Sequence, residues 1–421
     1  MYKFIVEGPT QLKGEIVIDG SKNSALPILT ASLLAEKEVV IKNVPKINDV
    51  FLTLEILNEL GCKTIFSDNS VIIVPKDNMS YEIPQQLSSK LRSSVLFIGA
   101  LLGKNGNAIF YDQPGGCEIG KRPIDLHLEA FKQLCVEINQ DNHMLFCKTD
   151  RIIGNEIFLQ IPSVGATENI MLASVKCRGT TIIKNAAKEP EIVDLARFLI
   201  KLGAKIKGVG TDTIIIEGVE KLNGSIEHKV IPDRIIAGTY LCAVASTGGE
   251  IVINNVIPSH LDSLLNILKN AGCSIIIKND YLHIKKIKRL NAISKITTSF
   301  FPGFPTDLQP LICSVFSLAN GVTVIKETIF ENRFKHISEL AKMGAKIINQ
   351  GDLIIINGVE RLYGTNVNAK DLRGGASLLI AAMSAYGQSI INNIDYIDRG
   401  YEEIENRYNK LGAKITRVSD N

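Results

Sequence analysis

The sequence predicts an α/β protein of two domains, each made of three copies of a unit of about 70 residues, and three observations carry that prediction. A glycine-containing signature that closes a helical pattern recurs at about this spacing along the chain. Six short segments are apolar on every face, which places them inside the protein. The length of 421 residues exceeds the size at which a single hydrophobic core stops growing.

The signature is Gly61 in Leu-Gly-Cys-Lys, Gly203 in Leu-Gly-Ala-Lys, Gly272 in Ala-Gly-Cys-Ser, Gly344 in Met-Gly-Ala-Lys and Gly412 in Leu-Gly-Ala-Lys. Leu134-Cys135 falls midway between the first two, as a copy without its glycine. Each glycine follows an amphipathic helical pattern and precedes β-branched residues, so it reads as the left-handed residue ending a helix before a strand. Upstream of that helix lies an extended run ending in a turn, as in Val39-Val40-Ile41-Lys42-Asn43 or Ile251-Val252-Ile253-Asn254-Asn255. Each unit therefore reads strand, helix, strand, strand and then a second helix.

The second helices span about 24–34, 93–102, 166–175, 236–245, 308–319 and 375–385, and are mostly Ala, Leu, Ile, Ser, Val and Gly. Three to a core, they are expected to be wrapped by the sheets and amphipathic helices of their own repeats. Capping accounts for Asp233 and Thr306 near their starts. It does not account for Lys22, Arg92 and Arg373, because a cation at a helix N-terminus is disfavoured unless an anion is present. Counting repeats gives one domain of 22–230 and another combining 1–21 with 231–421. Two direct crossovers with no Gly/Ser-rich linker predict a hinge beside a cleft.

A net charge of +3, with 22% charged and 45% hydrophobic residues, describes an ordinary globular chain and argues against bulk capture of nucleic acid. The eight cysteines do not form a disulfide framework, and Cys177, Cys242 and Cys313 sit in apolar runs as small hydrophobes. No CxxC or HExxH pattern occurs among them and the six histidines, so no metal is expected. Gly208-Val209-Gly210 has Thr213 where a third dinucleotide-binding glycine belongs, and there is no GxxxxGK[ST] loop, so no cofactor is expected either. The N-terminus carries no signal-peptide pattern and no run spans a bilayer, which predicts a cytoplasmic protein without membrane contact.

One loop concentrates reactive groups: Pro114-Gly115-Gly116-Cys117-Glu118-Ile119-Gly120-Lys121-Arg122-Pro123. Its glycines permit close approach to a ligand, and Lys121 and Arg122 favour a thiolate at Cys117 or hold an anion beside it, while Glu118 opposes the first effect. An ordinary surface turn holding a cysteine is the competing reading.

Gly20-Ser21-Lys22-Asn23-Ser24-Ala25-Leu26-Pro27, the Cys117 loop leading to Arg122-Pro123-Ile124-Asp125-Leu126-His127, Pro162-Ser163-Val164-Gly165-Ala166-Thr167, Phe304-Pro305-Thr306-Asp307, Phe330-Glu331-Asn332-Arg333-Phe334 and Asp398-Arg399-Gly400-Tyr401 run from one end of the chain to the other. In this order they closely resemble the UDP-N-acetylglucosamine 1-carboxyvinyltransferase family of enolpyruvyl transferases. The resemblance implies two inside-out α/β barrels of three repeats each. It also implies transfer of the enolpyruvyl group of phosphoenolpyruvate to the 3-hydroxyl of UDP-N-acetylglucosamine, with phosphate released, at the entry to peptidoglycan precursor synthesis. Both substrates are anions, which would explain the cations at the helix starts.

By the same resemblance, Cys117 is the proton donor and Asp307 the base near the sugar hydroxyl. Lys22, Arg122 and Arg399 hold phosphate and carboxylate, joined by Arg373. Asn23, Arg92, Pro123, Ile124, Asp125, Leu126, Ser163, Val164 and Gly165 form the UDP-sugar site, and Ile329 lines the sugar pocket. His127 either touches the nucleotide or plays a structural part, and Arg234 and Arg333 serve either as interdomain ion pairs or as ligand contacts. The sister enzyme making enolpyruvylshikimate phosphate has Lys-Ser where this chain has Lys22-Asn23 and does not rely on a thiol loop. A catalytically silent UDP-sugar-binding paralogue is disfavoured, since Lys22, Cys117, Asp307 and Arg399 are all present. The oligomeric state is not indicated.

Overall fold

The segments that are apolar on every face form helices Lys22–Ala31, Leu96–Asn105, Val164–Ser174, Arg234–Thr247, Gln309–Phe316 and Leu372–Ser384, the first to sixth inner helices. They belong to a computed structural model describing residues 2–76, 78–111, 115, 119–120, 123–224 and 226–419. Every residue of the fifth and sixth inner helices is buried. Three boundaries differ from expectation because a tighter 3₁₀ turn takes over: Ser32–Leu34 ends the first helix, while Arg92–Val95 and Thr306–Leu308 precede the second and fifth.

The chain divides into two units. A central unit contains residues 20–76, 78–111, 115, 123–224 and 226–231, and a terminal unit contains 2–19, 119–120 and 232–419. In the terminal unit the fourth, fifth and sixth inner helices all pack on one another; in the central unit the second packs on both the first and the third. The second and third approach so closely that a Cβ at Gly99 would collide with the carbonyl oxygen and Oδ1 of Asn169. Only glycine fits there.

Among the described residues the strands form six sheets, none closed into a barrel. In the third copy, Thr180–Lys184 runs antiparallel to Thr213–Glu217 and parallel to Glu156–Phe158, the parallel pair being joined through the third inner helix. Two of these connections are exchanged. Leu12–Val17 leads towards the first inner helix but pairs with Gly249–Asn254, and Ile226–Lys229 leads towards the fourth but pairs with Val39–Lys42. The central unit thus sets its last strand beside its first, and the chain passes between units just after each exchanged strand. The one three-stranded sheet, Asn107–Tyr111 with Met144–Lys148 and Glu137–Asp141, has the isolated parallel bridge Glu82 to Ile109 where a fourth strand would lie.

A repeated clamp holds the parallel edge. Asn43, Asn185, Asn255 and Asn393 each follow a strand with φ between 54° and 61°, a left-handed conformation that asparagine tolerates. Their side-chain amides donate to the carbonyls of Val230 (2.9 Å), Leu159 (2.8 Å), Ile18 (2.5 Å) and Ala369 (3.5 Å), in each case the residue just beyond the parallel edge strand. In the fifth copy the clamp position is Glu327 instead.

The helix-ending glycines Gly61, Gly203, Gly272, Gly344 and Gly412 all have φ between 94° and 115°. In the copy without a glycine, Cys135 takes φ 64° itself. Apart from exposed Cys135, the cysteines in the described residues are buried. Burial pushes the thiols of Cys62 and Cys273 up to about 11 and that of Cys147 up to about 12, and raises those of Cys242 and Cys313 further. These five are inert at neutral pH. No described helix is long and apolar enough to cross a membrane.

A side chain in the left-handed region costs about 1–2 kcal/mol. Cys135→Gly is therefore expected to raise stability by about 1 kcal/mol, read as a higher urea midpoint at unchanged m-value. An unmoved midpoint would show that this copy is not strained.

Candidate functional site

In the central unit, Lys22 is the first residue of its inner helix and Asn23 the second. The Lys22 Nζ lies 2.7 Å from Asp49 Oδ2, and Asp49 is buried in the first turn of helix Asn48–Glu59. Part of the anion that a cation at this helix start demands is thus supplied by the protein. The next residue, Ser24, donates to Asp194 Oδ2, which also accepts from Ile231 N at 3.2 Å, while Asp194 Oδ1 meets His228 Nε2 at 3.0 Å. A buried carboxylate therefore ties the start of the first inner helix to the last residue of its unit.

Arg92 opens the turn into the second inner helix. Pro123 and Ile124 precede helix Asp125–Gln133, which carries Asp125, Leu126 and His127 in its first turn. His127 is buried, with Nδ1 2.7 Å from Asn169 Nδ2. Burial, and then the charge of Arg92, pull this imidazole down to about 3, so it is neutral at physiological pH. Ser163 caps the third inner helix by accepting from Ala166 N at 3.3 Å, and Val164 is the first helical residue. A Cβ at Gly165 would stand 3.1 Å from His127 Cε1 and 3.4 Å from Nε2. The structure thus brings His127 and the Ser163–Gly165 turn together, within reach of the charge of Arg92, while Lys22 is held by Asp49.

In the terminal unit, Asp307 sits in the 3₁₀ turn before the fifth inner helix. Its Oδ1 meets Arg333 Nη2 at 2.6 Å and its Oδ2 meets Arg373 Nη2 at 3.3 Å. Arg333 is therefore an ion pair inside this unit. Arg373 lies in the first turn of the sixth inner helix, where Asp371 accepts from the backbone N–H groups of Arg373 and Gly374 at 3.1 and 2.9 Å. Its guanidinium stands 5.3 Å from the centre of the Tyr401 ring, and the Tyr401 hydroxyl is 3.0 Å from Thr239 Oγ1. Arg234 lies over the Phe301 ring at 5.6 Å. Each oxygen of Asp307 bears a guanidinium, so one carboxylate orients both Arg333 and Arg373.

Glu327, at the clamp position, organises the neighbouring loop. Its carboxylate accepts from Thr298 Oγ1 (3.0 Å), Thr306 Oγ1 (3.0 Å), Ile329 N (2.8 Å) and Phe330 N (3.2 Å). Thr306, expected to cap its helix, spends its hydroxyl here. One buried carboxylate fixes both the turn bearing Asp307 and the backbone at Ile329. Arg399 follows the short helix Asp395–Asp398, whose Asp398 binds Arg417 through both oxygens at 2.7 and 2.8 Å. Cys117, Lys121 and Arg122 lie outside the described residues. Among the described residues no group of His, Cys, Asp and Glu side chains is placed to hold a metal ion.

Sequence reasoning misses Asp49, Asn169, Glu327 and Asp371. A cation at a helix start signals that an anion is near, without saying which residue supplies it.

Residues 6–408 match the family model described as EPSP synthase (3-phosphoshikimate 1-carboxyvinyltransferase). The chain is 49% identical over 418 residues to UDP-N-acetylglucosamine 1-carboxyvinyltransferase 2 of Caldanaerobacter subterraneus, covering 99% of this chain and 100% of the relative. It is 45% identical to UDP-N-acetylglucosamine 1-carboxyvinyltransferase of Finegoldia magna, covering 98% of each. Among solved structures, the enolpyruvyl transferase NikO of Streptomyces tendae superposes with a TM-score of 0.90 at 23% identity over 100% of this chain and 99% of that one. EPSP synthase of Acinetobacter baumannii gives 0.76 at 18% over the whole of both chains. These two likenesses speak for the fold.

Two outcomes follow from the site's geometry. Unfolded histidine takes up its proton near 6.5 and folded His127 only near 3, so acid favours the unfolded chain between these values. Stability from neutral His127 is complete above pH 6.5 and falls by about 1.4 kcal/mol per pH unit below it. His127→Gln should accordingly flatten the fall of the urea midpoint between pH 6 and 4.5; parallel curves for variant and parent would contradict it. Glu327→Ala leaves four donors without their acceptor and should cost about 3 kcal/mol or more in the same measurement. A loss below 1 kcal/mol would mean that water replaces the carboxylate.

Proposed function

The chain belongs to the UDP-N-acetylglucosamine 1-carboxyvinyltransferase family, and from that premise we propose that it moves the enolpyruvyl group of phosphoenolpyruvate onto the 3-hydroxyl of UDP-N-acetylglucosamine and releases inorganic phosphate. The observation that carries this reading is the 49% identity along the whole chain to a relative of that name. The reaction is an addition followed by an elimination. A proton goes to the methylene carbon of phosphoenolpyruvate, and the sugar oxygen bonds to the neighbouring carbon. That carbon then loses phosphate while the new methyl group gives up a proton, leaving a vinyl ether.

Residue roles follow from the chemistry each step needs. Cys117 is assigned as proton donor to the methylene carbon. Asp307 receives the hydroxyl proton; Arg333 and Arg373 fix the orientation of its carboxylate. Lys22, aimed by Asp49, joins Arg122 and Arg399 in holding phosphate and carboxylate, and Arg373 adds to this set. Asn23, Arg92, the run from Pro123 to His127, Ser163, Val164 and Gly165 take the nucleotide sugar, and Ile329 its ring. The N-terminal amides of the third inner helix suit a diphosphate. Nucleotide-sugar and phosphoenolpyruvate supply place the enzyme in the cytoplasm, serving peptidoglycan precursor synthesis.

Phosphate release distinguishes this reading from its sister. Turnover with phosphoenolpyruvate plus UDP-N-acetylglucosamine, and none with shikimate 3-phosphate, is expected; the reverse would reassign the enzyme. Cys117→Ser should abolish turnover while UDP-sugar binding survives in calorimetry. Cys117→Asp should keep activity, because a carboxylic acid also delivers a proton, yet resist epoxide alkylation. Full turnover by the serine variant would remove the proton-donor assignment. Loss of Asp307 in Asp307→Ala should lower kcat by about 10²–10⁴.

A further inference from the structure

Asn169 is fully buried and its side chain joins three elements. It lies on the third inner helix, one turn after Gly165. Its Oδ1 accepts from Gly99 N at 3.0 Å, and its Nδ2 donates to the Val95 carbonyl at 3.0 Å, both at the second inner helix. These two partners decide the orientation of the amide. Rotating it by half a turn would set N–H against N–H and oxygen against oxygen at a fully buried site. The Nδ2 group therefore faces His127, 2.7 Å from Nδ1.

That contact leaves one arrangement of the ring. Nδ1 meets a donor and must present its lone pair, so the proton of the neutral imidazole is on Nε2. An imidazolium would set two donors face to face at 2.7 Å. The Cε1–Nε2 edge of the ring lies against Gly165, where the absent side chain leaves the approach open.

Resting on the nucleotide-sugar site proposed above, we propose that Asn169 is a positioning residue for substrate binding. By donating to Nδ1 it holds His127 in the Nε2–H tautomer, and His127 then donates from Nε2 to an acceptor oxygen of the nucleotide diphosphate at the start of the third inner helix. The ring and the helix N-terminus so present donors to one ligand, and the same buried amide sets the spacing of the second and third inner helices.

The tautomer is read directly in full-length enzyme by long-range proton–nitrogen correlation of its histidines, with His127→Ala identifying the signal. A protonated Nε2 and bare Nδ1 are expected without any substrate; a protonated Nδ1 overturns the proposal. On adding UDP-N-acetylglucosamine the Nε2–H signal should shift, and on adding inorganic phosphate alone it should not. In steady-state kinetics, Asn169→Asp replaces the donor by an acceptor and should draw the proton to Nδ1. KM for UDP-N-acetylglucosamine should then rise about tenfold, with kcat falling far less. In the His127→Ala background the same substitution should add nothing to KM, since the residue acts through the ring. A merely structural Asn169 would give additive losses, and that result would also sink the proposal. If Asn169→Asp does not fold, the parent enzyme's tautomer and its response to UDP-N-acetylglucosamine decide alone. Parent turnover with that substrate tests the functional reading separately, so either idea can fail without the other.

Discussion

Six helices without a solvent-facing side impose the main constraint on this protein. Burial of every residue of Leu372–Ser384 or Gln309–Phe316 removes much apolar surface from water, but only if cover is found all around. Three helices cover one another on their inner sides, and sheets with amphipathic helices complete the wrap. Close approach then limits side-chain size, so Gly99 faces Asn169 where a larger residue would collide. What such helices cannot hide is their polarity at the ends. Charged side chains such as Lys22, Arg92 and Arg373 gather at their N-termini because those are the places where the interior must meet charge.

The charges there are built into networks. Lys22 leans on Asp49, and Arg333 and Arg373 share Asp307, so each cation arrives already oriented by a carboxylate. Holding a buried or half-buried cation in this way costs desolvation, and the internal carboxylate offsets part of that cost before any substrate binds. It also fixes direction, which a long, flexible lysine or arginine does not do alone. Glu327 shows how the repeat bends to this purpose. Four copies use an asparagine to clamp an edge strand, and the copy beside Asp307 replaces it with a carboxylate that gathers two hydroxyls and two amides. A break in an internal symmetry at this point marks where packing alone no longer governs the choice of residue.

Much of the fold is legible in the sequence because its signals are local. The inner helices show as runs rich in Ala, Leu and Gly, and the caps at Gly61, Gly203, Gly272, Gly344 and Gly412 show as one residue type after an amphipathic pattern. Even the copy lacking its glycine can be placed, and Cys135 takes the same left-handed turn. Helix boundaries are less legible, since 3₁₀ turns at Ser32, Arg92 and Thr306 depend on tertiary contacts. Of the candidate site, the cations at helix starts can be read directly. Their partners cannot: Asp307 and Arg373 are 66 positions apart, and Asn169 and Val95 are 74 apart. No periodicity links residues that only the folded chain brings into contact.

The exchange of strands sets an order of assembly during synthesis. Tyr2–Gly8 is an interior strand of its sheet, flanked by Gly387–Asn392 and Lys414–Ser419, so this strand finds its neighbours only after about 380 further residues are made. The described strands of the central unit, closed by Ile226–Lys229, all pair with one another, so its sheets are complete once residue 229 has emerged. An apolar strand left waiting with both edges bare is a template for mispairing between nascent chains. Quality control in the cell should therefore bear on Tyr2–Gly8 far more than on the strands of the central unit.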